Sequence, residues 1–226
     1  MLIGILQTGQ SPDVLREEAG DYPEMFAHLL ADHGLTFRTY LVEEMAFPEN
    51  VHECEGWLIT GSRHGAYEDH PFIAPLEDFI RKAIAEAVPL VGICFGHQII
   101  AKALGGTVER YSGGWAVGPQ DYDFGGTKLT LNAWHRDQVT QIPEGATVVG
   151  CNEFCENAAL VYGDRAFTVQ AHPEFEDDFI EGLLRTRGPG VVPDPLMDNA
   201  RARLGQHNSS AAIADQIADF FKHPRP

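Results

Sequence analysis

The sequence predicts an α/β fold: an open, mostly parallel, doubly wound sheet with a small antiparallel β excursion. Three observations predict it. Short apolar runs at residues 2–6, 36–42, 56–60 and 90–93 have the length and burial pattern of strands. Segments with helical spacing alternate with them, as crossovers between parallel strands require. After Gly106 the texture changes to short strands separated by turns.

In chain order, residues 2–6 are apolar but short and carry no basic leader, so they read as a first strand rather than a signal peptide. A polar turn region follows at 8–12. Met25, Phe26, Leu29 and Leu30 give residues 22–30 the spacing of a helix that ends near Gly34. Residues 36–42 alternate like a strand, and 56–60 form a third, buried one. The polar, glycine-bearing stretch 61–70 then falls at a strand's carboxyl end, where open α/β sheets bind ligands. Ile73, Leu76, Phe79, Ile80 and Ile84 line one face of a helix over 72–87, and Pro89 opens the strand at 90–93.

The β-rich part reads as strands at 107–111, 112–118, 122–124, 127–131, 146–150, 158–162 and 166–170. Phe175, Phe179, Ile180, Leu183 and Leu184 form an apolar stripe on a helix after His172-Pro173-Glu174. Gly188-Pro189-Gly190 and Pro193-Asp194-Pro195 break the chain and predict an exposed loop. The last helix starts at about Ser210, with Ile213, Ile217, Phe220 and Phe221 on one face and Ser209 or Ser210 as its cap. The length, 226 residues, suits a single domain over 1–226.

Charge narrows the function classes. With 33 acidic against 16 basic residues, the chain carries a formal charge of −17 and repels phosphate backbones. Nucleic-acid binding is therefore not expected, and a small-molecule or protein partner is. No stretch of about 18 apolar residues offers a membrane span. The four cysteines (54, 94, 151, 155) show no disulfide-framework density, which suits a reducing cytoplasm. Cys151 and Cys155 lack a second close Cys/His pair, so no metal is expected, and no cofactor motif is present.

The stretch that carries chemistry is Gly92-Ile93-Cys94-Phe95-Gly96-His97-Gln98. An apolar strand ends at Cys94 and a helix pattern begins at once, with glycine two residues to either side. That fits a nucleophile elbow, whose turn is so sharp that its flanks must be small. The helix N-terminus would favour thiolate over thiol. Alone, the stretch fits a buried core cysteine equally well. A thiol nucleophile needs a base, and the base an orienting group. Gln170-Ala171-His172-Pro173-Glu174 offers both where a strand runs into a helix, although such a tripeptide alone is commonly a plain turn.

Together, Gly-Ile-Cys94-Phe-Gly-His-Gln98 and His172-Pro-Glu174 closely resemble the class I (triad-type) glutamine amidotransferase family, over nearly the whole chain. The resemblance implies a flavodoxin-like sheet order. It implies that Cys94 attacks a γ-glutamyl amide to form a thioester, that His172 protonates the leaving amine, and that Glu174 orients His172. Gly61-Ser62 is similar to the family's oxyanion loop, with the Phe95 N–H as second donor. Where many members carry proline after this Gly-Ser, here stands Arg63.

Gln98 resembles the residue that contacts the substrate's glutamyl end. Gly113, Gly114 and Trp115 occupy the place where backbone groups hold its α-amino and α-carboxyl groups, although Trp115 fits a core aromatic as well. Trp134-His135-Arg136-Asp137 is similar to a loop near the substrate's far end, and His135 and Asp137 read rather as an exposed turn. Cys54, Cys151 and Cys155 read as structural.

The chain ends soon after its last helix, which leaves no room for a synthase domain. The expectation is a free-standing hydrolase of a γ-glutamyl amide bond in glutamine or a γ-glutamyl peptide or conjugate. Its alternatives are a glutaminase subunit feeding ammonia to a separate synthase partner and, from another class, a non-catalytic binding or regulatory protein.

Overall fold

The architecture comes from a computed structural model, which describes residues 1–223. Its first half runs β1 (Leu2–Gln7), α1 (Asp13–Ala19), α2 (Tyr22–Leu29), β2 (Thr36–Leu41), β3 (Gly56–Ile59), α3 (Ile73–Ala85), β4 (Leu90–Ile93) and α4 (Phe95–Ala103). Seven further strands follow: β5 (Thr107–Arg110), β6 (Ala116–Phe124), β7 (Thr127–His135), β8 (Asp137–Gln141), β9 (Thr147–Gly150), β10 (Ala159–Tyr162) and β11 (Ala166–Val169). The helices α5 (Asp177–Thr186), α6 (Asp194–Arg203) and α7 (Ser210–Lys222) close the chain.

The main sheet has seven strands in the order β2-β1-β3-β4-β11-β10-β9. Its first five run parallel, and β10 and β9 add antiparallel strands at one edge. Every residue of β3, β4 and β11 is buried. That is why these runs are continuously apolar rather than alternating. Helices cover both faces. Leu76 and Ile80 of α3 and Ile99 and Ile100 of α4 pack on one; Phe26 of α2 and Ile213, Ile217 and Phe221 of α7 pack on the other. The indole of Trp57 fits only because Gly4 faces it, since a Cβ there would sit 2.1 Å from the ring. Its Nε1–H donates to the Val51 carbonyl at 2.8 Å, so the buried polar atom is satisfied.

The β excursion forms two ribbons, β5–β8 and β6–β7. Residues 112–118 and 122–124, expected as separate strands, are instead partly loop and partly one nine-residue strand, β6. It pairs with β7 from Ala116↔His135 to Phe124↔Thr127, through the two-residue turn Gly125-Gly126. Both glycines have positive φ (60° and 92°), as a type I′ hairpin requires.

Three more expectations need correction. Trp134-His135-Arg136-Asp137 is not an exposed turn, because β7 runs through His135 and β8 begins at Asp137, leaving His135 only 4% exposed. Residues 193–195 are not loop but the entry of α6, since proline is tolerated in a helix's first turn. Ser209 occupies the cap position of α7, yet its hydroxyl accepts from the Thr130 N–H and makes no cap bond. Helix α6 packs on β6 at Gly118, where a Cβ would lie 2.5 Å from that of Ala200. No helix among the described residues is long and apolar enough to cross a membrane.

Candidate active site

Three neighbouring parallel strands end on one edge of the sheet. Ile59 of β3 lies beside Gly92 of β4, and Ile93 of β4 beside Val169 of β11. Their carboxyl ends therefore release Gly61-Ser62, Cys94 and the His172 segment together. Cys94 sits at φ 52°, ψ −100°, a conformation that costs a non-glycine residue of order 1–3 kcal/mol. Its neighbours hold it there. The Cys94 N–H donates to the Val169 carbonyl at 2.9 Å, and the Gly96 N–H to that of Thr60 at 3.2 Å. A Cβ at Gly92 would lie 2.5 Å from the Gly96 carbonyl, and one at Gly96 2.3 Å from that of Ile59. Both positions exclude any side chain, so the elbow's glycines are steric necessities.

His172 is 3% exposed and Glu174 5%. The His172 backbone N–H donates to the Asn132 carbonyl of β7 at 2.8 Å, and the Asn132 amide donates to the Phe175 carbonyl at 2.9 Å. The β6–β7 ribbon thus clamps the loop that carries the imidazole. Its ring stacks on Phe175, with centroids 3.9 Å apart and planes at 4°. Nδ1 meets the Glu174 Oε1 at 2.7 Å, and the ring lines the same cleft as the Cys94 thiol. Burial alone would lower the imidazole's pKa. The Cys94 sulfur and the Glu174 carboxylate outweigh it and raise it to about 10, so the environment favours imidazolium.

The sequence pattern described as glutamine amidotransferase class-I matches residues 21–178, a span that contains Cys94, His172 and Glu174. The chain belongs to the class-I glutamine amidotransferase family. It is similar to gamma-glutamyl peptidase 4 of Arabidopsis thaliana, at 29% identity over 92% of this chain and 89% of that one. It is also similar, at 29% identity over 88% of this chain and 77% of the other, to a gamma-glutamyl-L-1-hydroxyisopropylamide hydrolase of a Pseudomonas species. Among solved structures, a glutamine amido transferase from Methylobacillus flagellatus shares the fold, with a TM-score of 0.75 at 23% identity, covering 97% of this chain and 91% of that one.

In this member of the family, the Gly61 carbonyl accepts from the hydroxyls of Thr8 (3.1 Å) and Thr60 (3.0 Å). In a planar trans peptide the next N–H, that of Ser62, points the opposite way. Arg63 needs no proline to hold this turn. The Ser62 Oγ accepts from the His64 N–H at 3.1 Å, and the Arg63 guanidinium pairs with Glu43 at 3.2 Å. Gly61 itself makes room for the site, since a Cβ there would lie 2.9 Å from the His172 Cε1. The Phe95 N–H opens α4 and so has no acceptor within the helix.

Two clefts of about 270 and 450 Å³ meet at Cys94 and share Ser62, Arg63, Trp134 and Arg187 as walls. The smaller one reaches His172 and Tyr22. The larger takes in Gln98, Trp115, His135, Arg110 and Arg136. Gln98 is mostly committed inward, its Nε2 donating to the Asp137 carbonyl (3.0 Å) and to Gln170 Oε1 (3.1 Å). Trp115 is half-buried against Trp134, while Gly113 and Gly114 lie in the loop before β6 and not in either cleft's wall.

Arg110, Arg136 and Arg187 escaped the sequence reading because they are scattered singly through the chain. None has an ion-pair partner within 4.0 Å among the described residues, and together with Arg63 they gather cationic charge at one cleft of an acidic protein. His97 of the elbow faces the core instead, fully buried, with Nδ1 2.8 Å from the Thr168 hydroxyl, and burial pushes its pKa down to about 3. Burial and the nearby His172 charge hold His135 equally low, at about 3. Cys54, Cys151 and Cys155 are free thiols away from any imidazole pair, and burial pushes Cys155 up to about 12.

Proposed function

We propose that this enzyme hydrolyses γ-glutamyl amide bonds, with Cys94 as nucleophile, His172 as acid and base, and Glu174 as the group that orients His172. The observation that carries the reading is His172, buried, 2.7 Å from Glu174 through Nδ1 and lining one cleft with Cys94. Two relatives whose names state γ-glutamyl peptide or amide cleavage support the substrate class. So does the arginine-lined cleft, which offsets the chain's overall repulsion of a glutamyl carboxylate.

The thiolate of Cys94 attacks the γ-carbonyl carbon, and the oxygen of the tetrahedral intermediate takes the charge. In this reading the N–H groups of Ser62 and Phe95 donate to that oxygen. Collapse breaks the C–N bond, and the proton carried by His172 goes to the departing amine. A γ-glutamyl thioester remains on Cys94. Water then adds to it, giving its proton to His172, and the C–S bond breaks to release glutamate and restore the thiolate. Glu174 keeps its charge throughout and holds the Nδ1–H, so that the other ring nitrogen faces the chemistry. The α4 N-terminus stabilises the thiolate at its cap position.

The test is a panel of glutamine, γ-glutamyl dipeptides and γ-glutamyl alkylamides, assayed with wild type and Cys94→Ala. Release of ammonia or amine is expected from wild type and not from the variant. Turnover by the variant within tenfold of wild type would sink the nucleophile assignment. Turnover of glutamine alone, and only after a synthase is added, would replace the hydrolase reading with an ammonia-delivering subunit.

A further inference from the structure

The loop between β3 and α3 holds a second cluster that the γ-glutamyl chemistry does not use. His64, Glu68 and His70 bring three donor atoms within 4.8 Å of one another. His64 Nδ1 lies 3.7 Å from Glu68 Oε2, and His70 Nε2 lies 2.8 Å from the same oxygen. Tetrahedral zinc with bonds of about 2.1 Å separates its donors by about 3.4 Å. The three atoms therefore need to move by less than an ångström to accept an ion.

A second observation bears on His64 alone. Its other nitrogen, Nε2, is 2.9 Å from Glu43 Oε1, on a different segment of the chain. The Arg63 Nε also approaches this nitrogen, at 3.4 Å, but the shorter contact to a carboxylate favours an Nε2–H donated to Glu43, which leaves Nδ1 bare 3.7 Å from Glu68 Oε2. This is the arrangement by which a carboxylate fixes the tautomer of a metal-binding histidine and raises its basicity. The rings are also oriented by packing. His64 and His70 lie 3.9 Å apart, and His70 stacks on the buried Phe72 at 17°.

We propose that His64, Glu68 and His70 bind one divalent transition-metal ion of the zinc or cobalt type, with Glu43 orienting His64. Two imidazoles and one carboxylate suit such an ion, whereas magnesium and calcium prefer all-oxygen sets. On binding, the ion takes the place of the proton between His70 Nε2 and Glu68, and His70 adopts its Nδ1–H tautomer. The fourth position is left to water or to a ligand in the cleft that His64 and Glu68 share with Cys94. Because the His64 N–H is bonded to the Ser62 hydroxyl, the ion would also brace the turn that follows Gly61.

Isothermal titration of Zn²⁺ into the full-length chain, paired with the visible absorption of bound Co²⁺, tests this without reference to catalysis. One ion per chain is expected. His64→Ala and His70→Ala should each weaken binding at least tenfold, and Glu43→Gln by about 10- to 100-fold as for other partners of a ligating histidine. Cys94→Ala should leave it unchanged. Thermal melting of each variant verifies folding, and Glu68→Gln substitutes for any that fails to fold. Absence of saturable binding, equal affinity in the folded histidine variants, or loss of binding in Cys94→Ala would overturn the proposal; the last would place the metal on the thiol instead.

Discussion

Replacing Glu174 by glutamine isolates the electrostatic part of its contact with His172, because shape and an acceptor oxygen are both retained. The side chains are 4% and 1% exposed and their atoms 2.7 Å apart, so solvent screens little of the interaction. A hydrogen bond to a charged group is worth about 1.5–3 kcal/mol, which equals roughly one to two pKa units. His172 is raised to about 10 by Cys94 and Glu174 together, against the opposing effect of burial. A histidine raised in the fold adds stability that is full below its unfolded pKa of about 6.5 and disappears as pH climbs through the folded value. Glu174→Gln should therefore move the alkaline limb of kcat/KM down by about one to two pH units. At the optimum it should cost about 10- to 150-fold, the same free energy expressed as rate. The assay is the pH profile of kcat/KM on the best γ-glutamyl substrate. An alkaline limb within half a unit of wild type, or a loss below threefold, would refute the role given to Glu174.

Gly61→Ala places a methyl 2.9 Å from the His172 Cε1 and should lower kcat about 100-fold through misplacement of the ring; unchanged kcat in the folded variant would count against the close approach. Gly96→Ala drives a Cβ to 2.3 Å from the Ile59 carbonyl and should destabilise the fold by about 1–3 kcal/mol or more, read by urea unfolding. His97 and His135, each lowered to about 3, stay neutral in the fold while the unfolded chain protonates them below about 6.5. Their contribution is full above that pH and falls as acid is added, by up to about 2.7 kcal/mol per pH unit. Unfolding free energies at pH 7, 6 and 5 measure the slope, and His97→Gln should halve the part due to these two residues.

Much of the fold was legible because its signals are local. The run 90–93 appears as strand β4 unchanged, and Gly92 and Gly96 mark the elbow because no other residue fits beside those carbonyls. The histidine and glutamate were legible because a single residue, Pro173, separates them and sets their spacing. What escaped depends on partners distant in sequence. His135 looked polar and therefore exposed, yet it is enclosed where β7 passes beneath the His172 loop. The entry of α6 looked like a break because proline stops a helix from within but starts one equally well. The spacing His64-x3-Glu68-x-His70 lay inside the polar stretch 61–70, of which only Gly61-Ser62 had a reading of its own, and Glu43, 2.9 Å from His64, sits on a different segment. The arginines of the cleft come from four separate segments, so no window of sequence contains them.

The pairing of β4 with β11 has a consequence for biosynthesis. The thiol and its imidazole meet only when a strand from late in the chain docks against one from the middle, after the whole β excursion has been made. Contacts of such long sequence separation form slowly, since chain must first be closed into a large loop. A nascent chain halted before Ala166 exposes Cys94 with no partner, and it cannot carry out the proposed chemistry. The onset of catalysis would thus serve as a clock for the last docking event of folding, readable in a refolding experiment as a lag between the recovery of helical signal and the first turnover.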